Sequence, residues 1–140
     1  MMVELTVTND LDRCLCLRYE VFVIEQGVPI DRERDEMDAT AIHILATTTD
    51  RDLGTARIFV SGETARIGRV CVVADARGTG LGTSLIRKAL DIAGDMPGLR
   101  QVRLGAQTHA LAFYEKLGFV AEGPIYDDAG IPHRDMVQPL

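Results

Sequence analysis

Apolar and polar residues alternate at the start of the chain. Val3, Leu5 and Val7 are separated by Glu4, Thr6 and Thr8, which predicts a strand with one buried face. The period then lengthens: Cys14, Leu17, Arg18, Val21 and Phe22 fall on one side of a helix that Asn9 or Asp10 can cap. Gly27 and Pro29 end it. Ile42 to Thr47 and Thr55 to Val60 read as two strands of a hairpin about the polar turn Thr49 to Asp52. Gly62 marks a second reversal, and Ile67 to Val73 carries the sheet into a central strand. Leu81, Leu85, Ile86 and Leu90 then predict a helix from Leu81 to about Ala93, stopped by Gly94 and Pro97-Gly98. Val102 and Leu104 begin another strand. Thr108 can cap a short helix carrying Ala110, Leu111, Tyr114 and Leu117, and Gly118 closes it. Beyond Phe119 and Val120 the chain crosses the sheet again, turns at Asp127 to Gly130 and returns through Ile131 to Val137. With no repeat, linker or low-complexity tract, residues 1–140 read as one domain.

Chemistry concentrates between Arg69 and Leu90. Val70 to Ala74 is an apolar run fit for an inner strand, and Asp75 to Gly82 is glycine-rich with one arginine. Strand, glycine turn and helix start together make an anion site, because glycine lets a ligand approach the backbone while free amides point outward at the helix N-terminus. A nucleoside-triphosphate loop would need lysine before the hydroxyl residue, and Gly82 precedes Thr83-Ser84 here. The spacing Gly78-Thr79-Gly80-Leu81-Gly82 also misses the dinucleotide fingerprint G-x-G-x-x-G.

Two stretches carry a family resemblance. Arg77-Gly78-Thr79-Gly80-Leu81-Gly82 and Ala110-Leu111-Ala112-Phe113-Tyr114-Glu115-Lys116-Leu117-Gly118-Phe119 resemble the two cofactor-side motifs of the GCN5-related N-acetyltransferases. Arg18 to Gln26, Gly54 to Arg57, Leu104 to Gln107 and Gly130 to Met136 further resemble the ElaA- and YjcF-like branch, so the similarity covers nearly the whole chain. It implies the α/β (α+β) acyl-CoA N-acyltransferase fold, a mixed, mostly antiparallel sheet of about seven strands flanked by about four helices.

The resemblance implies acetyl-coenzyme A as acyl donor. Backbone amides of Arg77, Gly78, Thr79, Gly80, Leu81 and Gly82 would hold its pyrophosphate, with the glycines explained by close approach. The Arg77 side chain can reach a phosphate or stay solvated, and Thr83 and Ser84 can add hydroxyls or be plain surface. Backbone groups of Cys71 and Val73 would pair with the pantetheine arm in a cleft opened by the next strand, and the Val72 amide would face the oxyanion. Gln107 stands where many superfamily members carry Asn, and Phe113 lies in the second motif. Tyr114 would protonate the leaving thiolate, with core packing as its bland alternative. Glu25, Gln26 and His133 are acceptor-side candidates. Glu63 and His109 are further candidate bases, whereas His43 reads as structural. A dimer through the final hairpin is the one assembly suggested.

Composition narrows the partners. Lys and Arg total 15 against 21 Asp and Glu, a net charge of −6 that disfavours nucleic acid and is compatible with a cationic acceptor, whether small molecule or peptide amine. No apolar run approaches a membrane span, and acids stand in Met1 to Asp12 where a signal peptide has lysines, so the cytoplasm is expected. Asp31 to Asp38 has seven charged residues in eight and reads as a solvated loop or short irregular helix, or as an acidic rim over the acceptor. Cys14, Cys16 and Cys71 fit no redox pair or zinc set and read as small packing residues; the three histidines show no metal spacing.

Overall fold

In the computed structural model, which describes residues 2–140, the N-terminal alternation forms β1 (Glu4–Thr8), and the hairpin forms β2 (Ile42–Thr47) and β3 (Asp52–Ser61). The central strand is β4 (Thr64–Val72), followed by β5 (Gln101–Gln107), β6 (Val120–Asp128) and β7 (Ile131–Pro139). They make one seven-stranded sheet of order β1-β2-β3-β4-β5-β7-β6. All neighbours are antiparallel except β4 and β5. Four α-helices accompany it: α1 (Leu11–Arg18), α2 (Ile30–Glu33), α3 (Leu81–Gly94) and α4 (Leu111–Lys116). This is the acyl-CoA N-acyltransferase fold. Among the described residues no helix is long and apolar enough to cross a membrane.

The core lies where β3 is covered on both sides. Consecutive residues Leu53 to Ile58 are buried, because α1 and α3 pack on opposite faces of the strand. Gly54 shows how closely α3 approaches: a Cβ there would lie 2.8 Å from the Cys71 carbonyl and 3.1 Å from Leu85 Cδ1. The helical stripe seen in the sequence is the one that packs, with Leu81, Leu85, Ile86, Ala89 and Ala93 buried.

Three features depart from expectation. The first helix does not run unbroken to Gly27, since α1 passes into a π-helical segment over Tyr19–Glu25. There Gln26 N–H bonds the Val21 carbonyl, and the wider turn buries Val21 while Glu20, Ile24 and Glu25 stay outside. The hairpin strands also extend beyond their apolar runs, β3 starting at Asp52 and β4 at Thr64, since ladder pairing carries them through Gly54 and Ala65-Arg66. The Asp31–Asp38 stretch takes its short irregular helix reading, but it is not wholly solvated. It folds into α2 and a 3₁₀ turn over Glu36–Ala39 that turn Glu33 and Asp38 inward, 3% and 7% exposed.

Those carboxylates meet arginines from the sheet and α1. Arg18, 1% exposed, donates to Glu33 at 2.6 Å and Asp38 at 2.7 Å. Arg57 donates to Asp35 at 2.6 Å and Asp38 at 2.9 Å, and Arg69 bonds the Glu33 carbonyl at 3.0 Å and Asp35 at 3.3 Å. Buried charges persist only when paired in this way. Burial alone would raise the Asp38 pKa, but hydrogen bonds from Arg18 and Arg57 outweigh it and hold the carboxyl well below its usual range.

Candidate active site

The parallel contact of β4 with β5 is short: Thr64, Ala65 and Arg66 pair with Gln101, Val102 and Arg103, and the strands then part. One cause is a bulge in β4, where Arg69 and Val70 together oppose Ala56 and Arg69 takes a left-handed φ of 52°. The parting leaves a cavity of about 610 Å³, lined by Gly68 to Val72 of β4 and by Leu104, Gly105 and Gln107 of β5. Phe22 and Gln26 of the π segment, Tyr114 of α4, and Tyr126 and His133 of the last hairpin complete it.

Arg77 of the lining leads into the glycine turn. Gly78 and Gly80 have φ of 78° and 84°, and a Cβ on either would meet nothing within 4 Å. Left-handed backbone therefore favours glycine at these two positions, and the space beside them is open. Gly80 caps α3 with no side-chain hydrogen bond, so the first amides of α3 open onto free space. The Thr79 hydroxyl bonds the Ala76 carbonyl at 2.7 Å and that of Ser84 the Gly80 carbonyl at 3.2 Å. Leu81 is buried beneath the turn, whereas Thr83 is half-buried beside Gly82. Gly82 is different: its missing side chain faces the Phe113 ring at 3.5 Å, where α3 meets α4.

Arg77 points elsewhere. Its guanidinium forks onto both Glu25 oxygens at 2.9 and 2.6 Å, and Nε bonds the Val72 carbonyl at 3.0 Å. Glu25, expected to face an acceptor, is thus the counter-ion that ties the π segment to the glycine turn. Its hydrogen bonds from Arg77 lower its pKa from the ordinary carboxylate value.

The backbone of β4 corrects a second expectation. Val73 donates its N–H to the Leu53 carbonyl and accepts from Ala76 N–H, and the Cys71 carbonyl lies against Gly54. Both residues direct backbone groups toward β3. By alternation Val72 faces the cleft, where its carbonyl takes Arg77 and its N–H remains. The Cys71 thiol is 5% exposed and burial pushes it up to about 12, so it stays protonated and unreactive.

Tyr114 packs edge-on between Phe113 and Phe119, ring centroids 5.0 and 5.9 Å away. Its phenol lines the cleft, and burial raises it to about 12. Across the mouth, Gln107 donates to Gln26 at 3.0 Å and accepts from His109 Nε2 at 2.6 Å. His133 gives its Nδ1 hydrogen to the Ile131 carbonyl at 2.8 Å and stacks on Tyr126, which leaves Nε2 with a free lone pair. Glu63 pairs with Arg100 at 3.0 Å outside the cleft, and buried His43 bonds the Asp38 carbonyl at 2.9 Å.

Sequence reasoning missed Tyr126, Arg66 and the arginine–carboxylate network. One signal was present: Arg57 sits inside the otherwise apolar run Ala56-Arg57-Ile58-Phe59, where a buried charge needs partners.

A splayed mixed sheet whose central strand leads into an uncapped glycine turn and helix defines a coenzyme-A-type acyltransferase scaffold. The chain belongs to the GNAT acetyltransferase family, whose domain matches residues 9–140. Protein ElaA of Escherichia coli is 37% identical over 139 residues, 96% of this chain and 90% of that protein. The N-acetyltransferase YjcF of Bacillus subtilis is 37% identical over 123 residues, 87% of each. The crystal structure of E. coli ElaA superposes with a TM-score of 0.89 at 34% identity, covering 98% of this chain and 99% of that one. An acyl-CoA N-acyltransferase of Pseudomonas aeruginosa gives 0.88 at 33% identity, with coverage of 98% and 99%.

Proposed function

We propose that the protein transfers the acetyl group of acetyl-coenzyme A directly to a primary amine. One observation carries this reading: Arg77, which opens the glycine turn before the uncapped start of α3, and the protonated phenol of Tyr114 line one cleft. The donor supplies an activated thioester, and in the exchange a carbon–nitrogen bond replaces its carbon–sulfur bond. The chain's residues supply the rest. Amides from Gly78 to Gly82 at the start of α3 bind the pyrophosphate, with the helix dipole in their favour. The Val72 N–H stabilises negative charge on the acyl oxygen. Tyr114 gives its proton to the departing sulfur, for which a phenol still protonated at neutral pH is suited. The proton lost by the amine goes to Nε2 of His133 or to water.

Calorimetric titration with acetyl-coenzyme A tests the reading. Saturable binding is expected for the wild type and for Gly80→Ala, weakened only by backbone strain, and is expected to vanish in Gly80→Glu, which sets a charge against the pyrophosphate. A folded wild type that binds no acetyl-coenzyme A overturns it. Binding with no turnover on any amine leaves a coenzyme-A-binding module.

A further inference from the structure

The closed end of the cleft carries a charge pattern opposed to that of the whole molecule. Arg66 of β4 and Arg103 of β5 are ladder partners, and both line the cavity. Like charges at paired positions repel, so an anion between them is favoured, although Arg66 is itself exposed and Arg103 is 21% exposed. The acidic stretch does not provide one. Its inward carboxylates Glu33, Asp35 and Asp38 are matched by Arg18, Arg57 and Arg69. The other carboxylates near this end are taken too: Glu122 meets Arg103 at 3.3 Å, Asp128 meets Arg32 at 3.8 Å, and Asp135 accepts the Tyr126 hydroxyl at 2.8 Å. Glu122 is itself 54% exposed, a weak counter-charge. Among the described residues no carboxylate lies within ion-pair distance of Arg66. Phe59 and Ile131 give the lining apolar surface beside the charged Arg57, Arg69 and Asp128, and the Tyr126 hydroxyl is laid over Gly105, where a Cβ would lie 2.5 Å from it.

We infer that the acceptor is an amine tethered to a carboxylate, its anion read by Arg66 and Arg103 while its amine reaches the Val72–Tyr114 end. The assignment rests on the acetyltransferase reading and names its substrate class. A planar guanidinium pair suits a carboxylate, which it binds through two parallel hydrogen bonds. Six residues of strand separate Arg66 from Val72, on the order of 20 Å of β4, so a spacer between amine and carboxylate is required. A polycation, the acceptor that the net charge alone would favour, is repelled here.

The test uses ε-aminohexanoate, ω-aminooctanoate and ω-aminododecanoate beside their primary amides, with putrescine as the dication. Coenzyme-A release should favour the longer acids over their amides by about tenfold or more in kcat/KM, since hydrogen bonds to charged groups are the stronger ones. Arg66→Gln and Arg103→Gln should remove most of that ratio through KM, with acetyl-coenzyme A affinity unmoved. Amides or putrescine used as well as the acids, or a ratio unchanged in both variants, overturns the inference. A second measurement needs no donor. Titration of the wild type with ε-aminohexanoate should shift the Arg66 Nε–H resonance, assigned by its loss in Arg66→Gln, and the amide should not. Equal response to both probes overturns the anion site even if acetyl-coenzyme A binds. A differential response supports the site even if acetyl-coenzyme A does not bind, and then only the transfer reaction falls.

Discussion

In the proposed reaction Tyr114 concentrates the acid chemistry at a single residue. Phe113 and Phe119 fix its ring edge-on, and burial lifts the phenol from 10.0 to about 12. A raised value means that the neutral form is favoured in the folded protein, so the proton is present throughout the neutral range and is lost only as pH climbs toward 12. Tyr114→Phe should lower kcat by about a hundredfold or more, the usual contribution of a positioned acid, with the acetyl-coenzyme A Kd nearly unchanged. Equal loss of affinity and turnover would reassign the ring to packing. Ultraviolet titration of the same pair should show the missing component at the alkaline end. Arg77 teaches the reverse lesson. The sequence leaves phosphate contact and solvation as equal readings, and in the structure the exposed guanidinium pairs with a carboxylate 52 residues earlier. Such a pairing is set by chain topology and leaves no local trace.

Among the elements, the β4 strand and the helix α3 packed across it decide the shape of the cleft. Gly54 lets α3 lie on the sheet, and Gly54→Ala should cost about 1–3 kcal/mol in urea unfolding, since the new Cβ meets backbone at 2.8 Å. A neutral outcome would mean that α3 can slide. The glycine turn and the α3 stripe were legible because their signals are local: left-handed turns want glycine and a buried helix face repeats every three to four residues. The β4 bulge was not, because the residue at its left-handed position is Arg69, whose type predicts no such backbone. The π segment was hidden for a related reason. Val21 to Ile24 are apolar throughout, so the sequence fits an α-helix and a wider turn equally well, and the choice falls to packing around buried Arg18.

At the scale of the whole molecule, acid stability follows from the buried network. Asp38 is held below its ordinary 3.8 in the folded state, so its contribution is complete above that value and fades as pH falls below about 4. Urea midpoints should therefore be flat down to about pH 4 and drop beneath it. Asp38→Asn should lower stability by about 3 kcal/mol or more at neutral pH, because Arg18 and Arg57 lose a buried partner, and should flatten the acid limb. A wild-type slope retained in the variant would place the titration elsewhere. The sheet has a mechanical side as well. With β4 and β5 joined at only three register pairs, β1–β4 and β5–β7 form two leaves on one short seam, bridged again at the far edge by the Gln26–Gln107 contact. A donor lying between them would act as a splint. Amide exchange in β5 beyond Arg103 should then slow on acetyl-coenzyme A binding more than in β2, which no leaf movement touches, so that ligand occupancy is felt as stiffness across the molecule.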